Sequence, residues 1–324
     1  MPSAVIEKLQ QYLEPTTPRA ELMARINDLR RVRHAVILSH NYQVGDIQDL
    51  ADFVGDSLEL SRRAAETEAA VIVFCGVHFM AETAKILNPD KIVVLPDVTA
   101  GCGLSDMLTR EQLVAFKAKH PGVPVVCYVN TSAEVKAESD ICCTSSNAVA
   151  VVKSLGVPKV LFVPDKHLAH WVAQHTEVEV IAWDGYCPVH QRIFPEDVVR
   201  LKAEHPGAEV VVHPECPADV IAVADQVFST GGMMKYVREA AATEFIIGTE
   251  VGIVHRMEKE NPHKRFYVAQ PPGFCCEGAF CEHMKKNTLE RLAWCLEDLE
   301  PRIEIPEHIA VRARCTIERM LAVR

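Results

Sequence analysis

The chain repeats itself, and the repeat fixes most of what it can fold into. Phe116-Lys-Ala-Lys-His-Pro-Gly-Val-Pro-Val-Val and Leu201-Lys-Ala-Glu-His-Pro-Gly-Ala-Glu-Val-Val carry their histidines, His120 and His205, 85 residues apart. Each segment reads as a helix end, a Pro-Gly break and a buried strand. Leu29-Arg-Arg-Val-Arg-His-Ala-Val-Ile-Leu is the same unit without its Pro-Gly. The strands that follow end in polar trios: His40-Asn41-Tyr42, Tyr128-Val129-Asn130 and His213-Pro214-Glu215. Twelve residues after the first member of each trio stands an aspartate (Asp52, Asp140, Asp225), and five residues later a hydroxyl (Ser57, Ser145, Thr230). Asn88-Pro89 and Asn261-Pro262, 173 residues apart, keep this phase across two periods.

Each unit reads as strand, helix, short strand, helix, strand, helix, strand. In the first, strands are expected at 35–39, 53–56, 71–74 and 92–95, with helices from about 47, 58 and 80. The clearest strands of the second are 125–129, 159–163 and 180–183, and of the third 210–213, 244–247 and 266–269. Continuous apolar strands alternating with helices imply parallel sheets covered on both faces. The expected class is therefore α/β: three similar three-layer α/β/α domains with parallel sheets, arranged with pseudo-threefold symmetry around a central active site. The divisions fall at 1–110 (with an N-terminal helix), 111–195 and 196–324 (with C-terminal helices). A chain of 324 residues can bury cores of that size.

Composition narrows the function. With 48% hydrophobic and 24% charged residues, wholesale disorder is excluded. The longest apolar stretch, 69–75, is too short to span a bilayer, and the N-terminus lacks a signal-peptide pattern, so a cytoplasmic protein without membrane contact is expected. The net charge of −10 argues against a nucleic-acid surface but permits a local basic cluster around an anionic ligand. No Gly-rich phosphate loop or dinucleotide fingerprint occurs among the 15 glycines.

Ligands of parallel α/β sheets sit outside the carboxyl ends of the strands. The trios and the hydroxyls occupy such ends, so three equivalent sets are expected to converge. Ser57, Ser145 and Thr230 read both as helix N-caps and as ligand contacts, because a capped helix N-terminus suits carboxylate or phosphate. Three of them around one pocket point to a ligand with several anionic groups. His167, His170 and His175 read as a solvated helix face, Met233, Met234 and the Trp171 region as core, and Arg30-Arg31-Val-Arg33 as a helix surface.

The 12 cysteines need a separate reading, since a disulfide framework does not suit a reducing compartment. Cys75, Cys127, Cys142 and Cys295 belong to apolar strands or stripes and read as buried thiols, as do Cys143, Cys216 and Cys315. One cysteine per unit follows the last strand: Cys102, then Cys187 after 85 residues, then Cys281 after 94. Three thiolates meeting at the axis would hold a [4Fe-4S] cluster with one iron open; a structural zinc site or unligated thiols are the alternatives. Cys275 and Cys276 share a loop with Cys281, and spacing does not separate them.

Specific motifs now stand out: Ser39-His-Asn-Tyr-Gln, Gly55-Asp-Ser, Phe74-Cys-Gly-Val-His-Phe-Met-Ala-Glu-Thr-Ala-Lys-Ile-Leu, Tyr128-Val-Asn-Thr-Ser, Cys143-Thr-Ser-Ser-Asn-Ala, Trp183-Asp-Gly-Tyr-Cys, His213-Pro-Glu-Cys, Phe228-Ser-Thr-Gly-Gly-Met and Gly248-Thr-Glu. In these the chain resembles the quinolinate synthase family of NAD biosynthesis, from about residue 36 to residue 290. The resemblance implies three α/β/α domains and an oxygen-sensitive [4Fe-4S] cluster on Cys102, Cys187 and Cys281. It favours Cys281 because Met284-Lys285 and Asn287-Thr288 fit the family pattern. It further implies substrate contacts from His40, Ser57, Tyr128, Val129, Asn130, Ser145, His213, Pro214, Glu215 and Thr230. Glu215, Tyr42, His40 and His213 are the candidate catalytic groups. The implied partners are small molecules, iminoaspartate and dihydroxyacetone phosphate, with an aspartate-oxidising enzyme as a transient supplier. Another cluster-dependent hydro-lyase of a small hydroxy acid is the nearest competing reading. A metal-stabilised binding or redox-sensing protein is the competitor from a different class.

Overall fold

The computed structural model describes residues 17–272 and 278–323. Its strands form three four-stranded sheets with one recurring order. The first is β2-β1-β3-β4, from β1 (Ala35–His40), β2 (Phe53–Gly55), β3 (Val71–Cys75) and β4 (Ile92–Val94). The second, β6-β5-β7-β8, uses β5 (Val125–Tyr128), β6 (Ile141–Cys143), β7 (Lys159–Val163) and β8 (Glu179–Ala182). The third, β10-β9-β11-β12, uses β9 (Glu209–Val212), β10 (Gln226–Val227), β11 (Glu244–Gly248) and β12 (Arg265–Val268). Every pairing within them is parallel. The expected class of three similar α/β/α units with parallel sheets is the observed one.

β3 shows why an unbroken apolar run makes such a strand. Successive side chains of a strand face opposite sides. Ile72 and Phe74 join a core with Leu58, Leu60 and Ala64 of the helix Ser57–Glu66. Val71, Val73 and Cys75 face the other way, onto Leu22 and Ile26 of the helix Arg19–Val32 and Leu292 of Leu289–Asp298. Both faces are covered, so all five residues are buried.

The three equivalent aspartates do one structural job. Asp52 Oδ2 accepts the Ile37 N–H at 2.8 Å, Asp140 Oδ2 that of Val125 at 2.7 Å, and Asp225 Oδ2 that of Val210 at 2.8 Å. Each aspartate N–H also donates to the carbonyl of the same strand residue. This two-point clamp fastens the turn into each short strand at the end far from the polar trios.

The last two helices leave the third unit. Leu289–Asp298 packs on Arg19–Val32, and Glu307–Ala322 packs on β6 and on the helix Ala133–Ala137. Amphipathic periodicity shows that a helix has a buried face but not which sheet receives it. Glu138, at the end of Ala133–Ala137, fastens the final helix: Arg312 donates to both its carboxylate oxygens, at 3.1 and 2.9 Å, and Arg110 Nε donates at 2.9 Å. The Arg312 hydrogen bonds hold the Glu138 carboxyl below its usual range against the opposing effect of burial, with Arg110 adding to them. A folded pKa lowered in this way contributes stability above the unfolded value of about 4.3 and loses it as the pH falls through the folded value. Arg312→Ala should therefore cost about 1 kcal/mol at pH 7, given that the arginine is half exposed. Thermal melts at pH 7 and pH 3.5 should show the gap to the parent shrinking at the lower pH; a gap independent of pH would show that the pair contributes no charge-dependent stability.

Candidate active site

The carboxyl ends of the three sheets open onto one cavity of about 750 Å³. His40, Tyr42 and Ser57 line it from the first unit; Tyr128, Asn130 and Ser145 from the second; His213, Glu215 and Thr230 from the third. Cys102, Cys187 and Cys281 line it as well. Of the expected contacts, two stay outside. Val129 is buried in the core, and Pro214 borders a neighbouring groove. Strand-end alternation explains this: the middle member of a trio points away from the side its neighbours face.

The hydroxyls are not the N-caps the sequence implied: the capping position lies one residue before Ser57 and Thr230 and two residues after Ser145. Asp56 caps Ser57–Glu66, accepting from the Leu58 and Glu59 N–H groups at 2.9 Å. Ser229 caps Thr230–Glu239, and Asn147 stands at the N-cap of Ala148–Ser154. Because the caps are taken, the hydroxyls of Ser57 and Thr230 remain for a ligand, and Asn41 Nδ2 orients Thr230 Oγ1 at 3.1 Å. Asp56 also lines the cavity, and burial pushes its carboxyl up to about 6.

The cysteine loops share one construction. Three residues after Cys102, Cys187 and Cys281 lie Ser105, His190 and Met284, which open or begin single 3-10 turns (Ser105–Met107, His190–Arg192, Met284–Lys286). In each loop, backbone N–H groups at the turn point at the cysteine sulfur: Ser105 and Leu104 at Cys102, His190 at Cys187, Met284 and His283 at Cys281. Seven residues after each cysteine stands the N-cap of the next helix: Thr109, Phe194 and Thr288. Cys281 is thus the structural counterpart of Cys102 and Cys187. Cys275 and Cys276, its rivals on spacing, lie outside the described residues. The three sulfurs are free thiols and interact with one another. Burial pushes Cys102 up to about 12 and Cys281 up to about 11, and holds Cys187 well above the ordinary thiol range. The remaining described cysteines are buried, as read, except Cys315, which is exposed on the last helix.

Glu215 is the electrostatic centre. It is buried, yet Tyr128 Oη donates to its Oε1 and His190 Nδ1 lies 3.1 Å from its Oε2. The imidazole contact is close but not aligned as a hydrogen bond, since Nδ1 has no partner of hydrogen-bond geometry. Burial alone would raise the carboxyl; these neighbours, with His213 Nδ1 at 3.8 Å, overcome it and keep Glu215 ionised. The two candidate histidines are neutral: burial pushes His40 and His213 down to about 3, and Lys285 adds to the effect on His40. Backbone N–H groups assign their tautomers. His40 Nδ1 accepts from Tyr42 N–H at 3.1 Å, and His213 Nδ1 from Glu215 N–H at 3.3 Å, so each carries its proton on Nε2. His213 Nε2 then donates to Ser145 Oγ at 3.2 Å. Burial and the Glu215 charge raise Tyr42 and Tyr128, leaving both phenols protonated.

Sequence reading missed four residues here. His190 is buried between Glu215 and Thr249, its Nε2 2.8 Å from Thr249 Oγ1. Glu250 and Lys285 form a buried ion pair at 2.5 Å, whose carboxylate also accepts the Cys281 N–H at 3.0 Å, while the ammonium grips the Tyr42 carbonyl. The available signal was position: His190 stands three residues after a singled-out cysteine, and Thr249, Glu250 and Lys285 stand inside the motifs Gly248-Thr-Glu and Met284-Lys285, quoted without a role for them. One sulfur of Cys187, one nitrogen of His190 and one oxygen of Glu215 also lie within 4.8 Å of one another, a rival single-ion site.

Three α/β/α units whose strand ends and cysteine loops meet on one cavity, with polar side chains set in a largely apolar lining, define an enzyme of small-molecule metabolism rather than a scaffold or a nucleic-acid binder. No helix among the described residues is long and apolar enough to cross a membrane. The sequence model of the Quinolinate synthetase A protein family matches residues 24–322. A quinolinate synthase of Dehalococcoides mccartyi strain CBDB1 is 54% identical over 299 residues, covering 92% of this chain and 97% of that protein. One from Desulforudis audaxviator is 55% identical over 304 residues, covering 94% and 98%. Quinolinate synthase 1 of Methanosarcina acetivorans is 50% identical over 306 residues, covering 94% and 99%. The chain belongs to the quinolinate synthetase A family.

Proposed function

We propose that this enzyme condenses iminoaspartate with dihydroxyacetone phosphate to quinolinate, phosphate and two waters, as a [4Fe-4S] enzyme of NAD biosynthesis working in the cytoplasm. The observation that carries this is the threefold cysteine loop: three free thiols, each facing backbone N–H donors, line the cavity that holds the polar trios. Deprotonated thiols so placed suit a cluster bound by three cysteines, and the raised ordinary pKa of each implies that metal binding displaces the protons. When bound, the cluster supplies Lewis acidity at the iron that lacks a cysteine.

The chain's own residues supply the rest. Nε2–H of His40, the Asn130 amide and the hydroxyls of Ser57, Ser145 and Thr230 are donors for carboxylate and phosphate oxygens, with His213 Nε2–H holding Ser145 Oγ so that the serine proton is free for the ligand. Neutral imidazoles fit that role better than proton transfer, since neither histidine is charged near neutral pH. Glu215 and Tyr42 are then the groups that move protons, with Tyr128 holding the Glu215 carboxylate. An aspartate-oxidising enzyme would supply iminoaspartate as a transient partner.

The test is a turnover assay. Protein purified anaerobically and given dihydroxyacetone phosphate with iminoaspartate, generated in place from oxaloacetate and ammonia, should form quinolinate and phosphate in equal amounts. Cluster-loaded protein that makes neither would overturn the assignment.

A further inference from the structure

A permanently charged side chain stands outside the cavity and reaches one of its hydroxyls through an amide. Arg256 belongs to the helix Ile253–Glu260 of the third unit. Its Nε donates to Glu260 Oε1 at 2.5 Å, one turn along the same helix, which holds the guanidinium in place. Its Nη1 crosses to the first unit and donates to the Val54 carbonyl at 2.7 Å and to Asn41 Oδ1 at 3.2 Å. Asn41 Nδ2 then donates to Thr230 Oγ1 at 3.1 Å. Arg256 borders two outer grooves and does not line the cavity. Asn41 is fully buried and does not line it either: it is the middle member of its trio, turned away from the ligand side as Val129 and Pro214 are.

Donor counting gives this row one direction. A guanidinium stays charged and only donates, so the Asn41 atom that meets it is the amide oxygen. The amide nitrogen is thereby turned to Thr230, and an NH2 group only donates as well. Thr230 Oγ1 must accept there, which leaves its single proton for another partner, and Thr230 lines the cavity. Without the guanidinium nothing holds the amide in this orientation. With its oxygen toward Thr230 it would draw the hydroxyl proton away from the ligand.

We propose that Arg256 is a positioning residue for anion binding: by fixing the Asn41 amide it makes the Thr230 hydroxyl a hydrogen-bond donor into the cavity, toward a carboxylate or phosphate oxygen of the ligand. The inference rests on the functional reading above, which takes Thr230 as a ligand contact. Arg256 touches no ligand itself. Its bond to the Val54 carbonyl also ties the third unit to the first, a structural contribution that the test has to separate.

The experiment is a double-mutant cycle on the cluster-loaded, full-length protein. The dissociation constant of quinolinate, the KM of dihydroxyacetone phosphate and kcat are measured for Arg256→Met, Arg256→Lys, Thr230→Val and Arg256→Met/Thr230→Val. Arg256→Met keeps an unbranched stem and removes the donors. It should raise one of the two constants about 5- to 20-fold, the scale of one hydrogen bond to a charged group, with kcat within about threefold. A rise for quinolinate assigns the hydroxyl to a carboxylate, and a rise for dihydroxyacetone phosphate alone assigns it to the phosphate. Arg256→Lys puts one donor-only nitrogen in place of Nη1 and should stay within about threefold of the parent. In the Thr230→Val background the methionine substitution should cost less than about twofold, because the hydroxyl it directs is gone. Both constants within about twofold of the parent in Arg256→Met, an equal loss in both backgrounds, a loss confined to kcat, or no rescue by lysine would overturn the proposal. If the methionine protein does not fold, Asn41→Asp takes its place in the cycle: it keeps an oxygen for Arg256 and, as an acceptor, turns the Thr230 proton toward itself. Its loss should then be at least about fivefold larger with Thr230 present than with valine there, and an equal loss would overturn the proposal. A parent that neither binds quinolinate nor turns over would instead count against the functional reading itself.

Discussion

Cys102→Ser, Cys187→Ser and Cys281→Ser should each abolish quinolinate formation, by at least about a thousandfold. The magnitude follows from what is removed. A Lewis-acid metal site contributes several kcal/mol to a transition state, and about 4 kcal/mol is about a thousandfold in rate. Three cysteines leave no spare ligand if one iron is kept for substrate, so each loss is equivalent. The loops are equivalent too, each placing its turn three residues and its next helix cap seven residues after the thiol. Cys295→Ala, in the core between Leu292 and Leu296, is the control and should leave iron content and turnover near those of the parent. The measurements are iron and sulfide per chain and initial rates under anaerobic conditions. A serine variant that kept full turnover would remove that cysteine from the site, and if it were Cys281, would return attention to Cys275 and Cys276.

Glu215→Gln should reduce turnover by about 10²- to 10⁴-fold, the usual contribution of a positioned acid–base group, while the protein still takes up its full iron. Glutamine keeps the size of the side chain and can accept the Tyr128 hydrogen bond through its amide oxygen, but it has no charge to oppose His190 and cannot take a proton. The effect should therefore fall on kcat more than on iron content or thermal stability. Unchanged turnover in this variant would eliminate Glu215 as an acid or base. Loss of iron along with turnover would make its role structural.

Much of this was legible in the sequence, because the repeat carried it. Three copies of strand, polar trio, aspartate and hydroxyl implied three similar parallel sheets, to which the structure adds their common strand order, and equal spacing to the strand ends placed nine side chains in one cavity. The repeat could not distinguish what shared positions were for. Asp52, Asp140 and Asp225 recur as faithfully as the cavity residues, yet they clamp backbone. Capping shifted by one residue in the same way: Asp56 and Ser229 satisfy the first turns, a choice set by backbone angle rather than residue type. The roles of His190, Thr249, Glu250 and Lys285 were not legible for another reason. Each is single-copy, and its meaning lies in contacts between units that no local pattern encodes. The final helices illustrate the same limit, since Leu289–Asp298 and Glu307–Ala322 return to the first and second sheets.

The central claim is that one thiol from each unit holds an iron–sulfur cluster with a corner left for substrate. Mössbauer spectroscopy of anaerobically purified, iron-57-enriched protein, with and without quinolinate, addresses it most directly. The account predicts about four irons per chain in a [4Fe-4S] state, with one iron changing its signal when quinolinate is added and the other three unaffected. A colourless protein holding a single zinc, as Cys187, His190 and Glu215 could bind, or a cluster whose four irons all ignore the added ligand, would contradict it.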